Sequence, residues 1–245
     1  MGKIKRMKQG SLVGVLFLGL CMLVSSGCAS THFAKMSQDF KDRKIDIRTI
    51  GFLAPLEYMS NRDDDGKVLE NAIIESLRNK SIYQLKLVRK ADYPEQWNSD
   101  VERIISNSRE YLRDIELKGL WKDKKNTIIS RKFSEEIKQL QSLDPEIDAL
   151  LLVKCKQHYG NPWAGGLYAF GLLGGLVAAA GADDDPVIGK HSPADNDVYS
   201  SAVLVDLKTA DILWYNFALR YGLNVTKAKD ADNMAKDILS ELVNK

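Results

Sequence analysis

The run Ala202-Val203-Leu204-Val205-Asp206-Leu207-Lys208-Thr209-Ala210-Asp211-Ile212-Leu213-Trp214 sets two aliphatic segments on either side of a short polar turn, the spacing of a β-hairpin. Read outward, it predicts strands over residues 199–207 and 212–221 joined by Lys208-Thr209-Ala210-Asp211. Asp206 and Thr209 carry side-chain oxygens placed to satisfy turn amides, and Trp214 has the shape to cap a sheet edge. The chain then closes with a helix over 228–244, where Ala231, Met234, Ala235, Ile238, Leu239 and Leu242 form an apolar stripe at helical spacing.

The same patterns extend toward the N-terminus. Residues 147–157 carry the continuous apolar run Ala149 to Val153 in their first half, which predicts a strand buried on both faces and central in its sheet. Residues 47–56 read as an opening strand that leaves the sheet at Pro55. Val68, Leu69, Ala72, Ile73 and Leu77 predict an amphipathic helix over 65–79, and 83–89 alternates as a half-buried strand. Helical periodicity covers 93–117 and 132–143, and Asp144-Pro145 stops the second segment. The order β-α-β-α-(α)-β-[insert]-β-β-α predicts a single α/β domain over 47–245, a mixed sheet covered by helices.

The late hairpin motif, with the opening Ile50-Gly51-Phe52-Leu53-Ala54-Pro55, resembles the TolB amino-terminal type of α/β domain, also found in the curli-secretion lipoprotein and related envelope lipoproteins. Ala210 stands where such hairpins usually carry Gly. The resemblance implies a binding or assembly module and no enzyme.

Residues 1–27 followed by Cys28 resemble a bacterial lipoprotein signal peptide. Lys3, Lys5, Arg6 and Lys8 form a cationic start, 12–24 is uninterruptedly apolar, and Leu23-Val24-Ser25-Ser26-Gly27 leads into the cysteine. As a helix the apolar stretch rises only about 20 Å, short of the roughly 30 Å of hydrocarbon that a retained span must cross. The resemblance implies a diacylglyceryl thioether and palmitate-type acyl chains at Cys28, anchoring the chain by lipid at the periplasmic face of the outer membrane. Ala29 and Ser30, with no Asp beside the cysteine, agree with outer-membrane sorting. Residues 28–46, polar and aperiodic, read as a tether.

Removing 1–27 takes four cations and no acids, so 35 Lys plus Arg become 31 against 33 Asp plus Glu. The precursor's net charge of +2 becomes −2, and nothing basic is left to suggest a nucleic-acid partner. With Cys21 cleaved away and Cys28 acylated, Cys155 stands alone and reads as a buried core residue.

Residues 162–182, PWAGGLYAFGLLGGLVAAAGA, hold no charge and sit between two predicted strands, closed by Asp183-Asp184-Asp185-Pro186. Gly171, Gly175 and Ala179 recur every four residues, a small-residue stripe of the kind on which helices approach closely, and Trp163 suits a headgroup interface. The insert can pack under its own sheet, touch the membrane, or associate with a second copy. It lacks the alternation a transmembrane β-strand needs. We take Cys28 as the lipidation residue and Trp163, Gly171, Gly175 and Ala179 as the interaction residues.

The remaining signals for chemistry are weak. His32, His158 and His191 are too far apart for a metal site, and Ser192 beside His191 has no nucleophile elbow around it. Asn61-x-Asp63-x-Asp65-Gly66 resembles half of a calcium loop, but Ala72 stands where the bidentate Glu belongs, so it reads as a solvated helix start. No catalytic residue, metal or cofactor is expected. The composite expectation is a partner-binding envelope lipoprotein acting in assembly, transport or secretion, as a homo-oligomer with other envelope proteins. The alternative is a small-ligand or lipid carrier with the insert as pocket wall or lid.

Overall fold

The computed structural model describes residues 30–117, 128–160 and 196–243. Cys28 and the whole of 162–182, with Trp163, Gly171, Gly175 and Ala179, lie outside them. Among the described residues no helix is long and apolar enough to cross a membrane.

The strand Ala149–His158 (β5) organises the domain. Ala149, Leu151, Val153 and Cys155 enter one apolar cluster and Leu150 and Leu152 enter the other, so both faces are buried. Such a strand needs partners on both edges and cover on both faces. The partners are Thr49–Leu53 (β2), parallel to its first half, Glu57–Ser60 (β3), parallel to its second half, and Asp197–Asp206 (β6), antiparallel along its whole length. Gln84–Val88 (β4) continues the sheet beyond β2, and Ile212–Tyr221 (β7) and Ser30–Met36 (β1) continue it beyond β6. The sheet is mixed, ordered β1-β7-β6-β5-β2-β4.

Helices cover both faces, as the sequence predicts. On one, Leu69, Ile73 and Leu77 of Lys67–Lys80 (α2) meet Ala231, Met234, Ala235 and Ile238 of Ala228–Ile238 (α5) over the sheet. On the other, Ile104 and Leu112 of Asn98–Leu117 (α3) pack with Phe133, Ile137 and Leu140. Tyr111 and Phe133 meet with ring centroids 4.3 Å apart. Of the helix predicted over 132–143, the structure forms a single 3-10 turn at Glu135–Ile137 and the short Lys138–Leu143 (α4).

The hairpin turn works as its residues suggest. Asp206 Oδ1 accepts from Lys208 N at 2.6 Å and Thr209 N at 3.2 Å, and Thr209 Oγ1 accepts from Asp211 N at 3.2 Å. Ala210 adopts φ +59°, the left-handed conformation that glycine would take without cost. It is held there by its N–H to Asp206 O, by Phe133 N to its carbonyl at 2.7 Å, and by complete burial of its methyl.

Three expectations need correction. Residues 30–36 are not tether: they form β1, paired with β7 from Ser30↔Arg220 to Met36↔Trp214. Their sequence, STHFAKM, has no clean alternation, and the strand is fixed by the open edge of β7. After it, Ser37 caps the one-turn Gln38–Lys41 (α1), which buries Phe40 in the core. Because β1 takes that edge, Trp214 does not cap one and is wholly enclosed. Finally, the strand predicted over 47–56 breaks at Leu53. Pro55 cannot donate to a ladder, so the chain steps across and resumes as β3 farther along β5. Glu70 Oε2 accepts from Leu56 N at 2.9 Å and pins this step to α2.

A chain beginning at Ser37 loses the β1 ladder and the packing of Met36 against the core. Its unfolding free energy should fall by about 2 kcal/mol or more in urea titration, the scale of one large apolar side chain. A midpoint equal to that of the longer chain would restore the tether reading.

Candidate interaction site at the rim of the sheet

One register row crosses five strands: Ser60, Gln157, Val198, Arg220 and Ser30. Just past it, at one end of the sheet, lie the loop 61–66, the pair Tyr159-Gly160, Asn196, and the loop 222–227. The insert departs from this rim. Its two stems are bonded to each other, Gly160 N to Asn196 Oδ1 at 3.2 Å, and Gly222 N closes on Asn196 O at 2.7 Å.

A polar clamp holds the stems. Tyr159 N donates to Asn61 Oδ1 at 2.9 Å, and Asn61 Nδ2 returns a bond to Tyr159 O at 3.1 Å. The Tyr159 hydroxyl donates to Asp64 Oδ2 at 2.6 Å, and the Tyr58 hydroxyl reaches the same oxygen at 3.2 Å. Arg62 lies over the Tyr159 ring, 4.1 Å from its centroid, where a cation is attracted by the π face. Gly66, at φ +63°, admits Tyr58 beside it; a Cβ there would meet Tyr58 Cγ at 2.5 Å.

The second latch is Gln157, an amide on the core face of β5 that is 1% exposed. Its Nε2 donates to Leu223 O at 3.1 Å and Asp197 O at 3.3 Å, and its Oε1 accepts from Val225 N at 3.1 Å. Gln157 thus binds the loop 222–227 to the central strand.

This arrangement employs the half calcium loop otherwise. Asn61 is spent on Tyr159, and Asp65 on Lys67, whose Nζ lies 2.8 Å away. Asp64, at a position between the loop's expected ligands, is the residue that turns inward. No cluster of three or more His, Cys, Asp or Glu side chains suited to a metal occurs among the described residues. His158 ends β5 beside Asp197, at 3.4 Å.

A hollow of about 770 Å³ opens outside the clamp, lined by Tyr58, Met59, Arg62, Asp64, Val68 and Thr226 among others. Its charged and hydroxylic wall differs from the apolar lining a lipid carrier needs. Burial pushes the Tyr58 and Tyr159 hydroxyls above their usual value of 10.0, and the nearby Asp64 carboxylate adds to the shift. Burial, then the Asp144 carboxylate, pushes Tyr93 near the other end of the sheet up to about 12.

Comparison with known proteins adds little. No protein-family model matches the chain, and no curated protein matches it. Two solved structures of a PelC dodecamer from Paraburkholderia phytofirmans are similar to it in chain path, one of them a single-substitution variant. Each is 10% identical with a TM-score of 0.42, covering 89% of this chain and 99% and 100% of its own. Likeness at that level carries no argument about what this chain does, and it does not single out the TolB amino-terminal type that the hairpin resembles.

Sequence reasoning missed Tyr58, Asn61, Tyr159 and Gln157 as a unit. One signal was present: Val153, Cys155 and Gln157 share a strand face, and an amide in that series calls for partners. Gln157→Leu keeps the volume and takes the amide partner from Val225 N, Leu223 O and Asp197 O; unfolding free energy should drop by about 1–3 kcal/mol per group left unsatisfied. An unchanged denaturation midpoint would mean that the latch does not hold the loop.

The tyrosines also set an alkaline limit. A raised folded-state value stabilises the neutral form, so this contribution is complete below the unfolded value of 10.0 and is lost as pH rises through the folded value. Stability should therefore decline above pH 10, with a shallower decline in Tyr58→Phe, read from thermal melts across the alkaline range.

Proposed function

We propose that the chain is a lipid-anchored envelope lipoprotein whose α/β domain binds partner proteins in assembly, transport or secretion at the periplasmic face of the outer membrane, working as an oligomer and without catalysis. The observation that carries this reading is the shared end of the sheet. Ser30, two residues after Cys28, enters an edge strand in the same register row as Gln157, and the insert stems leave from just beyond that row. A lipid on Cys28 and the uncharged run 162–182 therefore issue from one side of the domain. The other side, with the hairpin turn at Lys208 and the loop before β5, is left to face partners.

The carrier alternative has less support. The hollow beside the stems is lined mostly by charged and hydroxylic side chains. The small-residue stripe Gly171, Gly175 and Ala179 supports association between copies, and an aromatic such as Trp163 is of the type that favours a headgroup interface.

Cys28→Ser should leave a folded domain that shifts from the membrane fraction to the soluble one, or that stalls as precursor. Processing after residue 27 with unchanged membrane partitioning would overturn the anchor. Gly171→Leu with Gly175→Leu should reduce oligomer mass by light scattering in mild detergent and leave the melting temperature within a few degrees of the parent. An unchanged mass with a steep fall in melting temperature would assign the stripe to internal packing.

A further inference from the structure

We infer that the rim of the sheet, made by the loops 61–66 and 222–227 and the stems Gly160 and Asn196, is the face this domain sets against a bilayer. The occupant is the lipid headgroup layer, and the long strands β5, β6 and β7 rise away from it. The inference rests on lipid attachment at Cys28.

Chain length ties one corner of the rim to the membrane. From Cys28 to Ser30 two residues reach at most about 7 Å. No further slack exists, because β1 is committed to β7 through seven consecutive pairs, beginning with Ser30 itself. Neighbouring strands lie about 4.8 Å apart, so Val198 is roughly 10 Å and Gln157 roughly 14 Å from Ser30 along the row. An acylated Cys28 consequently holds the Ser30 corner of the rim at the headgroup region, and the stems of the insert, about 14 Å along the same row, supply the second point that orients it. With a free 19-residue tether over 28–46, the domain could present any side.

The insert's point of departure agrees. Gly160 and Asn196 are hydrogen-bonded neighbours, so the chain between them leaves and returns at one place, and its uncharged run starts two residues after Gly160. Residues 183–195 include Asp183, Asp184, Asp185, Lys190 and Asp195, too polar to cross hydrocarbon on a return path.

The charges of the rim are balanced. Arg62, Lys67 and Lys227 stand against Asp63, Asp64 and Asp65, with Lys67 and Asp65 already paired. Arg220 is bonded to Asp237, and Asp197 beside His158 adds a single negative charge. Such a face neither draws nor repels an anionic surface strongly, so its apposition should persist in high salt. Met59, 46% exposed beside the hollow, adds one apolar contact.

The test uses the full chain with its native lipid, reconstituted into phosphatidylethanolamine/phosphatidylglycerol vesicles. A fluorophore is placed at Asp63→Cys or Lys227→Cys on the rim, and at Lys208→Cys or Glu146→Cys at the far end; buried Cys155 takes no label. All four are exposed positions, so folding is preserved. Headgroup-nitroxide lipid should quench emission at 63 and 227 and leave 208 and 146 bright, at low and high salt alike. Equal quenching at the two ends, or stronger quenching at 208 and 146, overturns the inference. Mass spectrometry of Cys28 separates the two readings: an acylated chain with an unquenched rim sinks the orientation alone, whereas an unacylated cysteine sinks the anchor and the orientation with it.

Discussion

Burial of β5 on both faces is the constraint from which the rest follows. A strand with a continuous apolar run from Ala149 to Val153 cannot lie at an edge or under a single layer, so it draws β2 and β3 to one side, β6 to the other, and helical cover to both faces. The parallel partners come from the first half of the chain and the antiparallel ones mostly from the last, which makes the sheet mixed. Because β5 outruns β2, the chain after Pro55 finds a second length of ladder to fill, and β3 arises there.

Polar groups then fix what apolar packing leaves loose. Asp148 Oδ2 accepts from Arg48 N and Thr49 N and sets the start of β2 against β5. Asn216 Nδ2 donates to the carbonyls of Asp237 and Ile238 at 2.7 and 2.8 Å and receives the end of α5 on the sheet. Gln157 and Asn61 do the same for the rim. Each replaces bonds to water by bonds within the protein, a modest gain when made and a large loss when one partner is removed.

Much of the framework was legible in sequence because it depends on local period. The hairpin, the central strand, α2, α3 and α5 all announce themselves by apolar spacing, and the turn by Asp206 and Thr209. What escaped is non-local. STHFAKM becomes a strand only because the far end of the chain offers an open edge, and EYMS only because β5 extends past its first neighbour. The clamp escaped for the same reason: Asn61 and Tyr159 are 98 residues apart, and neither carries a motif that points to the other. The segment that resembles a lipoprotein signal and the apolar insert lie outside the described residues, so their roles rest on composition and on where their flanking residues emerge.

The pairing of Ser30 with Arg220 spans 190 positions, so the first strand of the chain is the last that can be seated. Contacts of such separation are slow to form. Until the C-terminal third has emerged, β1 has no ladder to join, and until β1 arrives, β7 presents an open edge whose residues are apolar on both faces. An unprotected edge of this kind invites pairing with other chains. The most vulnerable stage in the assembly of this fold is therefore the interval in which β7 is formed and β1 has not yet covered its edge.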